Sequence, residues 1–341
     1  MDVSHVRSIL ETLCSKGGVS GLESDAAEEA ANMLKKYMPV RRDNLGSVTG
    51  KKGEGAGVLL DAHIDRIGLI VTAVKKGGFL KVAKVGGADA RVLTGAKVTV
   101  HGKKDVFGVI SCVPPHLAKK DSENKATAFE DMTVDTGLTF EQASEIISPG
   151  DRITVNGSFL ELLGGKIASP CVDDRAGVAA VLRCLELLEG KETCPIEVVF
   201  SSQEETGGSG ALAGAFASEA DTAIGVDVTF ASAPGVSKDI YGSLGDGALV
   251  GFAPSLDYEM SKELMRIASE NGIKAKPEVM GGRTGTDCDE IQTSRGGIKT
   301  ALISIPIRNM HTSVEVCALE DIEETARLMA QYILERSGGN A

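Results

Sequence analysis

Tryptophan is absent from the 341-residue sequence, and aromatic residues as a whole account for only 4% of it. Proteins that bind sugars or unpaired bases commonly stack them on aromatic rings, so few such platforms are available here. No apolar run approaches the ~20 residues that a helix needs to cross a bilayer, and we therefore expect no transmembrane segment.

Basic residues are also in deficit. The chain has 36 lysines and arginines against 48 aspartates and glutamates, which gives a formal net charge of −12. This balance argues against nucleic acid or an anionic membrane as the main partner. Hydrophobic residues make up 42% of the chain, which excludes general disorder. At ~100–200 residues per domain, the length allows about two domains.

The chain has seven cysteines, an odd number, and no two of them have CxxC spacing. Neither a disulfide framework nor a cysteine-based zinc site is indicated, and we expect most of them to be reduced core residues. The first five residues have neither the basic nor the apolar region of a signal peptide. We therefore expect a cytoplasmic location.

The pattern of apolar residues predicts two kinds of secondary structure in different parts of the chain. After residue 164, predicted helices at 176–188, 211–218, 258–271 and 319–337 alternate with predicted strands at 196–201, 223–226 and 300–305. This alternation is typical of a mostly parallel sheet with helices on both faces. Between residues 70 and 163, short β-rich runs are separated by turns, as in a small barrel or sandwich. We predict an α/β fold formed by residues 1–69 and 164–341, with a small all-β domain inserted at 70–163.

Two polar segments carry local signals. The stretch 119–135 predicts a loop within the inserted domain. Ser20 and Glu23 have the spacing of a capping box, which would open the second of two helices predicted within residues 1–40.

Histidines and carboxylates follow the apolar runs of the main domain. His63 and Asp65 come after the run 57–62, Glu204 and Glu205 after 196–203, Asp227 after 222–226, and His311 after 300–310. Because ligands of open α/β sheets bind beyond the carboxyl ends of the strands, we expect these side chains at one rim. Asp173 and Asp174 open a predicted helix and would add two more carboxylates.

Each of these elements alone has an ordinary structural explanation, such as a helix N-cap for Asp173-Asp174 or a solvated turn for Glu204-Glu205. Together they are harder to explain structurally, because clustered carboxylates repel one another and raise one another's pKa. Divalent cations would hold such carboxylates ionised. Two histidines with at least three carboxylates suit a two-metal site with nitrogen and oxygen ligands.

The order of these motifs resembles that of a known enzyme family. His63-Ile64-Asp65, Asp173-Asp174-Arg175-Ala176-Gly177, Glu204-Glu205-Thr206-Gly207, Asp227 and Met310-His311-Thr312 are similar to the motifs of the M42 metallo-aminopeptidases, some of which carry glucanase names. The resemblance covers nearly the whole chain. It implies a zinc-peptidase-like catalytic domain, with the inserted β domain serving oligomerisation.

The resemblance also implies a role for each residue. His63 and Asp227 would hold one metal, and Glu205 and His311 the other. Asp173 would bridge both metals, and the peptide bond between Asp173 and Asp174 would be cis. Glu204 would be the general base, and Asp65 would orient His63. Zinc is favoured by affinity, and cobalt or manganese would also suit these ligands.

The function implied is that of a dinuclear aminopeptidase that trims short peptides with a metal-activated water. The resemblance further implies a homo-oligomer, a tetrahedral dodecamer built from dimers. Three alternatives stay open: a glycoside hydrolase, a deacylase of N-acyl amino acids on the same metal core, and a non-catalytic assembly protein. The missing tryptophan argues against the first, and the intact Glu204 argues against the last.

Two residues depart from the common family pattern. Arg66 follows His63-Ile64-Asp65 where many relatives have an acidic residue, and Asn309 stands where tyrosine is frequent. Neither departure removes a predicted ligand. Arg66 would alter the charge of a substrate subsite, or would be a plain salt-bridge partner at the surface or at an interface.

Overall fold

The computed structural model describes residues 3–111, 113, 115–117, 127–236 and 242–338. Cys112 and the first part of the predicted polar loop lie outside these residues. Within them, the helices are α1 (Ser4–Cys14), α2 (Ser24–Leu34), α3 (Ala90–Leu93), α4 (Phe140–Ile146), α5 (Val172–Leu187), α6 (Ser209–Ala217), α7 (Tyr258–Glu270), α8 (Cys288–Ile291) and α9 (Leu319–Arg336). Short 3-10 helices span Pro115–Leu117 and Glu204–Thr206.

The strands are β1 (Val40–Arg42), β2 (Val48–Lys52), β3 (Val58–His63), β4 (Gly68–Val74), β5 (Leu80–Val85), β6 (Lys97–His101), β7 (Asp105–Ile110), β8 (Thr133–Asp135), β9 (Arg152–Val155), β10 (Leu160–Leu162), β11 (Lys166–Ser169), β12 (Ile196–Ser201), β13 (Thr222–Phe230), β14 (Ala248–Phe252), β15 (Ala275–Val279), β16 (Lys299–Arg308) and β17 (Glu315–Ala318). The strands predicted at 196–201, 223–226 and 300–305 are present as β12, β13 and β16, within this larger set of strands.

The large sheet has the strand order β1-β2-β12-β3-β13-β16-β17-β11-β10, and β14 and β15 attach beside β16. The central strands β12, β3, β13 and β16 run parallel, whereas β2 pairs with β12, and β17 with β16, in antiparallel fashion. The short connection 309–314 reverses the chain between β16 and β17, and only antiparallel strands can be joined in this way. The sheet is therefore mixed, and the predicted parallel arrangement holds for its four central strands and for the pair β14–β15.

Helices cover both faces of this sheet. Strand β3 is buried along its whole length, with Val58 and Leu60 in the core formed with α1, α2, α5 and α9. The alternate residue Leu59 joins a separate core with Ala211 of α6 and Ile291 of α8. Burial on both faces explains why this strand reads as a continuous apolar run.

The intervening stretch forms a closed barrel with the strand order β4-β5-β8-β7-β6-β9. Its core is aliphatic and includes Leu69, Leu80, Val98 and Ile153. The sequence predicts an all-β stretch here. The structure differs, because the short helices α3 and α4 also lie in this stretch. A capping box at Thr139 and Gln142 begins α4, a signal that the sequence reading missed.

No helix in the described part of the chain is both long enough and apolar enough to span a membrane.

Candidate metal centre

Five of the predicted side chains converge beside the carboxyl ends of the central strands. His63 ends β3, Asp227 lies within β13, Glu205 lies in the 3-10 helix after β12, Asp173 lies at the start of α5, and His311 lies in the turn between β16 and β17. They form two groups, each with ligand atoms within 4.8 Å of one another. One group is His63, Asp173 and Asp227, and the other is Asp173, Glu205 and His311.

Asp173 belongs to both groups because its two carboxylate oxygens face different histidines. Its Oδ1 lies 3.0 Å from His63 Nε2, and its Oδ2 lies 3.1 Å from His311 Nε2. Asp227 Oδ1 lies 3.8 Å from His63 Nε2, and Glu205 Oε2 lies 3.5 Å from His311 Nε2. A carboxylate shared in this way is able to bridge two cations.

The backbone at Asp173 is not helical, although α5 continues from it. The peptide bond between Asp173 and Asp174 is cis, as the resemblance implies. His311 has a φ of 62°, a left-handed value that a non-glycine residue rarely adopts and that recurs at functional sites.

Two barrel glycines make room for the second group. Gly86 and Gly87 follow β5, and a Cβ at Gly87 would lie only 2.2 Å from His311 Nδ1. At Gly86, which has a φ of 70°, a Cβ would lie 3.0 Å from Glu205 Oε2. The glycines after β5 thus leave the space that Glu205 and His311 occupy. No sequence pattern indicated this role.

The pKa values within the centre are pulled in opposite directions. Burial and the charge of Asp173 raise the pKa of Glu205 to about 8, and burial also raises the pKa of Asp227. Burial opposes the charging of His311, but its hydrogen bond with Asp173 and the charge of Glu205 raise its pKa to about 9. For Asp173, the two histidines outweigh burial and lower the pKa below its usual range. A cluster of this kind holds its carboxylates ionised only at a cost, which a bound cation would offset.

Glu204 lies beside the two groups but belongs to neither. Its Oε2 is 3.9 Å from His63 Nε2, and burial raises its pKa to about 7. The neighbouring Glu205 points instead towards Asp173 and His311. The two glutamates are adjacent in sequence and nevertheless have different surroundings.

Asp65 is fully buried and connects the two glutamates to His63. Its carboxylate accepts hydrogen bonds from the backbone N–H groups of Glu204 at 3.0 Å and Glu205 at 3.2 Å. Its backbone carbonyl lies 3.1 Å from His63 Nδ1, closer than the carboxylate Oδ1 at 3.5 Å. Asp65 thus contacts His63 chiefly through its main chain, and its carboxylate orders the Glu204-Glu205 turn.

A model of the M42 glutamyl aminopeptidase family matches residues 46–328 of the chain. The protein belongs to the M42 family. A lysyl aminopeptidase of Pyrococcus furiosus is 32% identical over 337 residues, which cover 96% of each chain.

Solved structures agree with this membership. A TET aminopeptidase from a marine-sediment archaeon of the Thaumarchaeota superposes with a TM-score of 0.92 at 28% identity, covering 98% of both chains. The TET1 peptidase of Pyrococcus horikoshii, which is described as assembling into a tetrahedron or a large octahedral shell, gives 0.86 at 29% identity, covering 96% of this chain and 99% of that one. The M42 membership identifies the chain as an aminopeptidase, a hydrolase of the exopeptidase class, as the resemblance implies.

Two further residues support the centre of this M42 chain and were not predicted as site residues. Glu315, at the start of β17, accepts a hydrogen bond from the backbone N–H of Asp173 at 3.1 Å and from that of His311 at 2.8 Å. The hydroxyl of Ser20 donates a hydrogen bond to the Asp65 carboxylate. The capping box predicted at Ser20 is therefore wrong, because α2 begins at Ser24 with no side-chain cap hydrogen bond.

The two departures from the M42 pattern lie outside the two ligand groups. Arg66 is buried rather than at the surface, and its guanidinium donates to the carbonyl of Val155 at 3.2 Å. Asn309 is exposed, and its side-chain amide donates to the carbonyl of Val314 at 3.2 Å. Asn309 therefore closes the turn that carries His311.

Proposed function

We propose that the protein is a dinuclear metal-dependent aminopeptidase that removes N-terminal residues from short peptides, with Glu204 as the general base. The observation that carries this proposal is the sharing of Asp173 by two ligand groups, with Glu204 beside both. His63 and Asp227 would hold one cation, Glu205 and His311 the other, and Asp173 both.

The residues present fit two divalent cations. Each group offers one imidazole nitrogen and two carboxylates, a donor set that suits zinc, with cobalt or manganese also accommodated. The raised pKa values of Glu205 and Asp227 point the same way, because a cation would remove the cost of ionising these buried groups. When bound, the pair of cations would polarise the scissile carbonyl and lower the pKa of the attacking water.

Glu204 would move the proton in this reaction. Its pKa of about 7 is close to the operating pH expected for a general base. The carboxylate would take a proton from the water and pass it to the leaving amine. The hydrogen bonds from the Glu204 and Glu205 backbones to Asp65 would keep the base oriented while it does so.

The cavity at the metal centre would favour a substrate with a free α-amine. Glu204, Glu205, Asp173 and Asp227 all line one open cavity of 590 Å³. A free α-amine docked at this centre would place the first peptide bond near Glu204, which accounts for exopeptidase rather than endopeptidase action.

A glycoside hydrolase fits the site less well. That chemistry uses two carboxylates flanking the sugar and assigns no role to two histidines in contact with a shared aspartate. Phe230 is the one aromatic side chain among the described residues that line the cavity.

The larger organisation is part of the proposal. Residues 1–69 and 164–341 would form the catalytic domain, and residues 70–163 an inserted domain that supplies contacts in a homo-oligomer, a tetrahedral dodecamer in its complete form. Exposed apolar side chains on the barrel stretch, including Phe107, Val113 and Leu117, would suit such contacts. We expect this assembly to act on peptides in the cytoplasm. Sedimentation of the metal-replete protein tests the assembly, and a clean monomer would contradict it.

A panel of aminoacyl chromogenic substrates tests the activity. We expect hydrolysis of several aminoacyl substrates, its loss with a chelator, and its return with zinc, cobalt or manganese. The same panel should include a β-glucan and an N-acyl amino acid. Hydrolysis of either of these without any aminoacyl substrate would overturn the proposed function.

A further inference from the structure

The cavity next to the metal centre contains a carboxylate that neither ligand group uses. Glu278 lines this cavity together with Thr229, Met280 and Leu302. It is 8% exposed, and the Thr229 hydroxyl donates a hydrogen bond to its Oε1. Its Oε2 is buried and has no hydrogen-bond partner. A buried carboxylate oxygen without a donor is costly unless a cation or a donor arrives to satisfy it.

The burial pattern of β15 is inverted around this residue. Glu278 is the one buried side chain of the strand, whereas the apolar Val279 next to it is 76% exposed. A strand that serves only packing would bury the valine and expose the glutamate. The inversion indicates that Glu278 faces the cavity for a functional reason.

The position of Thr229 locates this carboxylate relative to the metal centre. Thr229 and Asp227 are two residues apart on β13, so they lie on the same face of the strand and about 6.6 Å apart along it. Asp227 belongs to the ligand group of His63. Glu278, hydrogen-bonded to Thr229, therefore lies further along the cavity than Asp227 and belongs to neither ligand group.

The remaining walls discriminate between kinds of side chain. Met280 and Leu302 offer apolar surface that suits a long methylene stem, as in lysine or arginine. No lysine or arginine lines the cavity within the part of the chain that the structure describes. An acidic side chain would therefore meet Glu278 without any compensating cation.

We propose that Glu278 determines the substrate specificity of this aminopeptidase by accepting the cationic side chain of a basic N-terminal residue, lysine or arginine. The inference rests on the proposed function, since it assigns the cavity to the side chain of the residue that is cleaved. The α-amine of that residue lies at the metal centre, its stem packs on Met280 and Leu302, and its charged end pairs with Glu278 Oε2.

The test compares substrates that differ by one charge. Lysine and norleucine p-nitroanilides share the same methylene stem, but norleucine lacks the ammonium group. With metal-replete wild-type protein, we expect kcat/KM for lysine to exceed that for norleucine by about tenfold to a hundredfold, as a charged hydrogen bond contributes. A wild-type enzyme that cleaves norleucine as well as lysine would overturn the inference, whatever the variants do.

The variant Glu278→Gln keeps the shape of the side chain and removes its charge. We expect it to lose the lysine preference through a fall in the lysine rate alone, with norleucine unchanged within about threefold. Glu259→Gln is the matched control, because Glu259 is an exposed acid on α7 outside the cavity, and it should keep the wild-type ratio.

The outcomes separate the two levels of the argument. An unchanged lysine-to-norleucine ratio in Glu278→Gln, or equal losses for both substrates, would overturn the specificity role while leaving the aminopeptidase proposal in place. A wild-type protein that cleaves no aminoacyl substrate with any of the three metals would contradict the proposed function itself.

Discussion

Replacing Gly87 with alanine should disable one half of the metal centre and leave the other half intact. A Cβ at this position would lie 2.2 Å from His311 Nδ1 and 2.5 Å from Cε1. The φ of Gly87 is outside the left-handed region, so alanine avoids the penalty of that region. The effect of the substitution is therefore a direct collision with one imidazole.

The size of the displacement follows from the contact distance. Non-bonded heavy atoms settle at about 3.5 Å, so the His311 ring has to move by about 1.3 Å. Metal–ligand distances tolerate only about 0.2 Å, and a misplacement of about 1 Å in an active site costs on the order of a hundredfold in rate. The group of His63, Asp173 and Asp227 does not include His311 and should keep its cation.

The assay combines metal analysis with kinetics. After dialysis against limiting zinc, we expect wild-type protein to retain two metal ions per chain and Gly87→Ala to retain about one, with kcat/KM lowered about a hundredfold. Gly296→Ala is the matched control, since nothing lies within 4 Å of its added Cβ and its φ is not left-handed. Full occupancy and normal activity in Gly87→Ala would refute the assignment of His311 as a ligand.

Two further predictions concern the surroundings of the centre. Ser20→Ala removes a hydrogen bond to Asp65 and should lower kcat/KM about tenfold at saturating metal, while a second variant, Ser8→Ala at an exposed position of α1, should not. In chelator, the melting temperature should fall as pH rises from about 5 to 9, because the folded protein holds protons that the unfolded chain has lost. Glu205, with a pKa of about 8 against an ordinary 4.5, and His311, at about 9 against 6.5, act in this same direction. A melting temperature that rises over this range would contradict the assigned charges.

The site residues that could be predicted from the sequence are those that follow a buried apolar run. His63, Glu204 and Asp227 each come near the end of a buried apolar run, and the structure brings them together where the central parallel strands end. Parallel strands carry their carboxyl ends to one edge, so strand order did not need to be known. Direct adjacency to a strand was enough to predict that these side chains would meet.

The supporting residues could not be predicted because their partners are distant in sequence. Ser20 has the spacing of a helix cap, and only the folded chain shows that its hydroxyl serves Asp65 instead. Gly87 matters for the ring of His311, more than 200 residues away in the chain. Glu278 sits in an unremarkable edge strand, and its burial against the expected pattern is visible only in three dimensions.

The antiparallel parts of the large sheet were missed for a related reason. The alternation of strands with helices predicts parallel pairing. However, β17 and β11 each follow a short connection without a helix, and strands joined in this way pair antiparallel. The turn at 309–314 has two effects: it makes β17 antiparallel to β16, and it places His311 opposite Asp173. A local reversal that looked like the end of a strand is thus part of the site.

The central claim is that two cations act together with Glu204 as the base, and one variant tests it most directly. Glu204→Gln should be compared with wild type for bound metal and for kcat on an aminoacyl p-nitroanilide. We predict two metal ions per chain in both proteins and a fall in kcat of about a thousandfold in the variant. Near-normal kcat in the Glu204→Gln protein would contradict the account.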